Sequence, residues 1–141
     1  RMASLGSEFA MVALVGGNWH SLAKLESELA RFATESGITL HLQRTEPRAA
    51  RTEYLPYSID AVCLDQTGIV SALSGFCAQR GIDIAEVATR TYPAAHTGAL
   101  MFSVQMIVNV PSKLHLAHVR EEFMEFCDSR NLDAILEPVK S

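Results

Sequence analysis

The 141 residues read as an α+β fold built of split β-α-β units in tandem, the first lacking its opening strand and helix. Two observations predict this. Apolar residues fall at helix spacing after His20 and then at strand spacing, and the whole pattern returns 94 residues later. The stretch between the copies holds the strand, helix and strand that complete a unit.

Phe9-Ala-Met-Val-Ala-Leu-Val15 overlays Phe102-Ser-Val-Gln-Met-Ile-Val108 on adding 93, which predicts a strand in each place. Gly6-Ser-Glu-Phe9 is also what two adjacent cloning sites encode. A vector scar has no reason to fall in register with a distant strand, so residues 1–15 are read as part of the fold. Leu22, Leu25, Leu29 and Phe32, spaced three, four and three, line one face of a helix ended by Gly37. Ile38, Leu40 and Leu42 then alternate as a strand. Adding 94 gives Leu116, Val119, Phe123 and Phe126, followed by Leu132, Ala134 and Leu136, all apolar again.

The second copy shows a whole unit. Tyr57, Ile59, Ala61 and Cys63 alternate as its first strand. Asp65-Gln-Thr-Gly68 turns into a helix with Ile69, Leu73, Phe76 and Cys77 on one side, stopped by Gly81. A strand from Ile82 to Thr91 and the loop Tyr92–Gly98 lead to a strand alternating from Leu100 to Val110. Pro111-Ser112 is expected to open the second helix, and Leu132–Leu136 is the last strand. The order β-α-β-β-α-β places both helices on one face of an antiparallel sheet, a ferredoxin-like arrangement. Residues 1–45 are thus the latter part of a first domain (ββαβ), 46–53 a linker with Pro47, and 54–141 a complete second domain. The intact copy sets the expectation that about 40 residues precede Arg1.

Composition narrows the function. Nearly half the residues are hydrophobic and only 20% charged, so the chain can build a core. No apolar run reaches the ~18 residues of a membrane helix, and no secretory leader is evident. Cys63, Cys77 and Cys127 are odd in number, lack C-x-x-C spacing and sit in apolar patterns, so they are read as core residues of a cytoplasmic protein. Net charge is −4, and Arg44, Arg48 and Arg51 make the one basic cluster, read as a solvated linker. Nothing here neutralises a phosphate backbone.

No nucleophile elbow, phosphate-binding loop or dinucleotide fingerprint occurs. His96 is read as a loop residue, His115 and His118 as exposed helix residues, and Glu121-Glu122 as a solvated helix face. No metal or cofactor is implied. Residues 65–69 suggest binding: a strand ends, a helix begins with unpaired N–H groups, and Gly68 has no side chain to block an approach. A carboxylate suits such a site, and Asp83 on the next strand could accept an ammonium group. The candidate ligand-binding residues are therefore Asp65, Gln66, Thr67, Gly68, Ile69 and Asp83, suited together to a free amino acid. The alternative is that Asp65 caps the helix and Gly68 only permits the turn.

A strand leading to Asp65-Gln-Thr-Gly68-Ile-Val70, then Gly81-Ile-Asp-Ile84, resembles the ACT domain family, whose loop usually reads Asp-x-Pro-Gly; Thr67 stands at the proline. The tandem layout, with Thr91–Gly98 and Asn131–Pro138, is similar to tandem ACT regulators over essentially the whole chain. The resemblance implies a non-enzymatic transcriptional repressor with an amino-acid effector, glycine foremost, bound where ACT units meet. It implies a DNA-binding activator as protein partner, no direct contact with nucleic acid, and association through ACT–ACT contacts. The alternative is a regulatory piece of an amino-acid-metabolising or nucleotidyl-transferring enzyme.

Overall fold

The computed structural model describes residues 1–49 and 52–139. The chain divides into two compact units, Arg1–Arg48 and Ala49–Ser141. Ala50 and Arg51, which fall in the predicted linker, lie outside the described residues, as do Lys140 and Ser141.

Unit 2 is built on a four-stranded antiparallel sheet. β3 (Tyr54–Leu64) leads into α2 (Ile69–Gln79), then β4 (Asp83–Pro93), β5 (Leu100–Pro111), α3 (Leu116–Ser129) and β6 (Asp133–Pro138). The sheet order is β4-β5-β3-β6, so the first strand of the unit is central, as a split β-α-β unit requires. Period-two alternation turns Tyr57, Ile59, Ala61 and Cys63 of β3 to the same face as Val104, Met106, Val108 and Val110 of β5. The two helices cover that face with Ile69, Leu73, Phe76 and Cys77 of α2 and Val119, Phe123 and Cys127 of α3. Phe76 meets Phe123 edge-on at 5.3 Å between centroids.

Both helices stop in the same way. After α2, Ile82 N–H bonds the Cys77 carbonyl at 2.9 Å around Gly81 at φ 65°. After α3, Leu132 N–H bonds the Cys127 carbonyl at 3.0 Å around Asn131 at φ 53°. Asparagine tolerates the left-handed conformation that such a terminus needs, so it can stand where the other copy has glycine.

One expectation is corrected here. Pro111-Ser112 does not open α3. Ser112 N–H bonds Glu53 O at 2.7 Å, prolonging the sheet, and Leu114 N–H turns back onto Pro111 O at 3.0 Å. The helix begins only at Leu116, with His115 at its N-cap position. In β4, Ala85 bulges between Ile84, opposite Val108, and Glu86, opposite Ile107.

Unit 1 contains a hairpin, β1 (Met2–Leu5) and β2 (Glu8–Met11), and the helix α1 (Trp19–Ser36). Asn18 caps α1 by accepting from Ser21 N–H at 2.8 Å, and Gly37 at φ 68° ends it. The strand predicted over Phe9–Val15 runs only to Met11, with one further exchange of hydrogen bonds between Val12 and Arg1 at 2.8 Å each way. Ile38, Leu40 and Leu42 form no strand. The segment runs back along α1, from Ile38 N–H on Ala33 O at 3.0 Å to a two-point Arg44–Glu26 pair at 2.8 and 3.1 Å. Alternation makes a strand only where a neighbour takes its N–H and C=O groups. β3 does this for β6 in unit 2, and the described part of unit 1 offers no counterpart.

Candidate functional site

The Asp65–Ile69 turn lies where β3 leaves the sheet. Asp65 N–H bonds the Leu100 carbonyl at 2.9 Å, which fixes the turn at the start of β5. Asp65, Gln66, Thr67 and Gly68 are exposed, whereas Ile69 is buried and anchors α2 in the core. Gly68 takes φ 87° and occupies the N-cap position of α2, with no side-chain hydrogen bond capping the helix. The first helical bond runs from Ala72 N–H to the Gly68 carbonyl at 2.9 Å. The N–H groups of Ile69, Val70 and Ser71 therefore have no acceptor within the helix. A Cβ built on Gly68 would meet nothing within 4 Å, so no described residue closes over Gly68 itself. Asp65 does not cap α2. Gln66 reaches away, its Nε2 donating to the Arg130 carbonyl at 3.5 Å.

Asp83 does not join this turn within one unit. It opens β4 opposite Asn109 of β5 and accepts from Asn109 Nδ2 at 3.5 Å. Leu100, beside Asp65, is at the other end of β5. Nine residues of strand separate the two, about 30 Å at ~3.4 Å per residue. The sequence placed the carboxylate and ammonium partners on neighbouring elements, but strand direction puts them at opposite ends of the sheet.

The remaining reactive groups serve the fold. Burial pushes the thiols of Cys77 and Cys127 up to about 11, and burial with Asp65 nearby raises that of Cys63, so none is poised as a thiolate. His96 is exposed in its loop, His115 sits at the helix start, and His118 lies 3.5 Å from Glu122. Glu122 is not simply solvated. Its Oε2 accepts from Arg80 Nε at 2.7 Å, and the Arg80 guanidinium lies over the Phe76 ring at 3.7 Å. Among the described residues no group of three or more His, Cys, Asp and Glu could hold a metal ion. No helix there is long and apolar enough to cross a membrane. Arg44 of the basic cluster is engaged by Glu26, and Arg51 lies outside the described residues.

Residues 1–43 match the family model described as ACT domain. The chain is 24% identical over 131 residues, 93% of its length, to the glycine cleavage system transcriptional repressor of Escherichia coli K12; the match spans 69% of that protein and leaves roughly a third of it unmatched. A solved structure of an unknown protein from Galdieria sulphuraria is 26% identical with a TM-score of 0.70, covering 99% of this chain and 80% of its own. Another, assigned as a glycine cleavage system transcriptional repressor, has a TM-score of 0.69 at 23% identity, over 100% of this chain and 79% of that one. A formyltetrahydrofolate deformylase from Pseudomonas putida KT2440 shares only the fold, at 14% identity and TM-score 0.50 over 60% of this chain and 29% of that one. Unit 1 thus matches the ACT model, unit 2 has the β-α-β-β-α-β build, and across both this α+β chain resembles the glycine cleavage system transcriptional repressor.

Proposed function

We propose that the protein is a non-enzymatic, amino-acid-responsive regulator: a cytoplasmic transcriptional repressor of a glycine cleavage system that works through a DNA-binding activator. The observation that carries this reading is the similarity to the E. coli repressor, which extends through both units. The uncapped start of α2 supports it. Three N–H groups without helical acceptors and the positive end of the helix dipole meet at an exposed Gly68, a setting matched to a carboxylate.

Because Asp83 is at the far end of the sheet, a whole amino acid needs two ACT units. A twofold arrangement of two copies of unit 2, with strands opposed, brings the turn of each beside Asp83 of the other. Glycine, carboxylate on one copy and ammonium on the other, then favours the paired state and shifts the population that the activator meets.

Calorimetric titration with glycine tests this. Gly68→Val places two methyl groups over the N–H groups and strains a residue at φ 87°, so binding is lost. Asp83→Ala removes a charge-assisted hydrogen bond of about 1.5–3 kcal/mol, weakening binding roughly ten- to hundredfold. Circular dichroism checks that both variants fold. Absence of glycine binding by the wild type, or unchanged affinity in both variants, refutes the reading.

A further inference from the structure

Both helices of unit 2 pack on one face of its sheet, and the other face points away from them. Alternation turns Tyr92 of β4, Met101 of β5 and Leu64 of β3 outward in one row, since Tyr92 and Leu64 both pair with Met101. Val62 continues this row along β3, and Ile135 of β6 follows on the diagonal. Leu64 is 62% and Ile135 51% exposed, so water reaches the apolar strip.

The charges around Ile135 have one sign. It stands opposite Asp60 of β3, and Asp133 and Glu137 flank it on the same side of β6. Asp60 accepts from Gln105 Nε2 at 3.0 Å, which steadies its carboxylate on that face. Arg90 is the one cation on the four strands. An apolar centre bordered by charge is the build of a protein interface. The sign of the charge selects the occupant. A nucleic acid or an anionic membrane is repelled, and a second copy laid face to face would set acids against acids.

We propose that this strip is the docking surface for the DNA-binding activator, which engages it through apolar side chains ringed by lysine or arginine. The inference rests on the reading of the protein as a repressor that works through such an activator, and adds where the contact is made. A protein that grips DNA carries positive charge of its own, the complement of this face.

Binding of the purified activator to the immobilised 141-residue chain, at about 50 and about 300 mM salt, tests this. Ile135→Lys puts a charge into the apolar strip and should weaken binding at least ~10-fold. Asp133→Lys combined with Glu137→Lys should weaken it ~10-fold at the lower salt and less at the higher, where screening has already removed the attraction. Glu121→Lys combined with Glu125→Lys makes the same change of net charge on α3, in the helix layer, and should leave the affinity within ~2-fold. Circular dichroism checks that each variant folds. A wild-type chain that does not bind the activator overturns the functional reading and this inference together. Wild-type binding that the β6 variants leave unchanged, or that the α3 pair weakens equally, overturns the inference alone. So does self-association of the chain that Ile135→Lys abolishes, which would place a second copy on this face.

Discussion

Glu122 shows how much of a residue's role depends on a partner distant in sequence. Beside Glu121 it reads as one of two solvated acids. In the fold it receives Arg80, forty-two positions away, whose guanidinium also donates to the Phe76 carbonyl at 3.2 Å. The hydrogen bond from Arg80 holds the Glu122 carboxyl below its ordinary 4.5, aided by the charges of Arg80 and His118. A carboxyl with a depressed folded value stabilises the native state above its unfolded value, and that contribution fades as pH falls through the folded one. Wild type should therefore melt above Glu122→Gln at pH 7, with the gap narrowing as the pH is lowered through and below 4.5. A gap in melting temperature that stays constant from pH 7 to pH 3 would remove the charge from this account.

At the scale of elements, one sequence pattern leads to two outcomes. Phe123 and Leu29 occupy equivalent places in the repeat, yet Phe123 is wholly enclosed and Leu29 only half-buried. Phe123→Ala should cost about 3–5 kcal/mol of unit 2 stability through lost burial and a cavity. Leu29→Ala in the 141-residue chain should cost less than about 1 kcal/mol, since water already reaches that side chain. Urea unfolding of both variants decides it, and equal losses would mean that α1 is packed after all. Periodicity alone located α1, α2, α3 and the core positions of β3, β5 and α2. It does not show that Ser112 N–H is engaged by Glu53 O, which keeps Pro111-Ser112 in the sheet and delays α3 to Leu116. It could not supply Ile38–Leu42 with a ladder, because pairing depends on a second chain segment. The turn at Gly68 was legible from its residue types. Its distance from Asp83 was not, because that follows from strand direction and register.

For the molecule as a whole, charge sets the terms of contact with DNA. Net charge is −4, and Arg44, part of the one basic cluster, already donates two hydrogen bonds to Glu26. With few phosphates to neutralise, the chain alone should bind duplex DNA without sequence preference and release it by ~150 mM salt. Gel-shift assays comparing a glycine cleavage promoter with random duplex measure this; selective retention at that salt would overturn it. The edge of the sheet carries a different consequence. Ala85 is the one residue of β4 between Ile84 and Glu86 that stands opposite no partner, while Ile84 and Val87 on either side still face Val108 and Met106. β4 is therefore one residue longer than its pairing needs. A chain shortened at Ala85 keeps the same residues inward and outward, whereas a single deletion in the middle of β3 or β5 would turn half a strand inside out. That point of the sheet can lose one residue without turning any strand over.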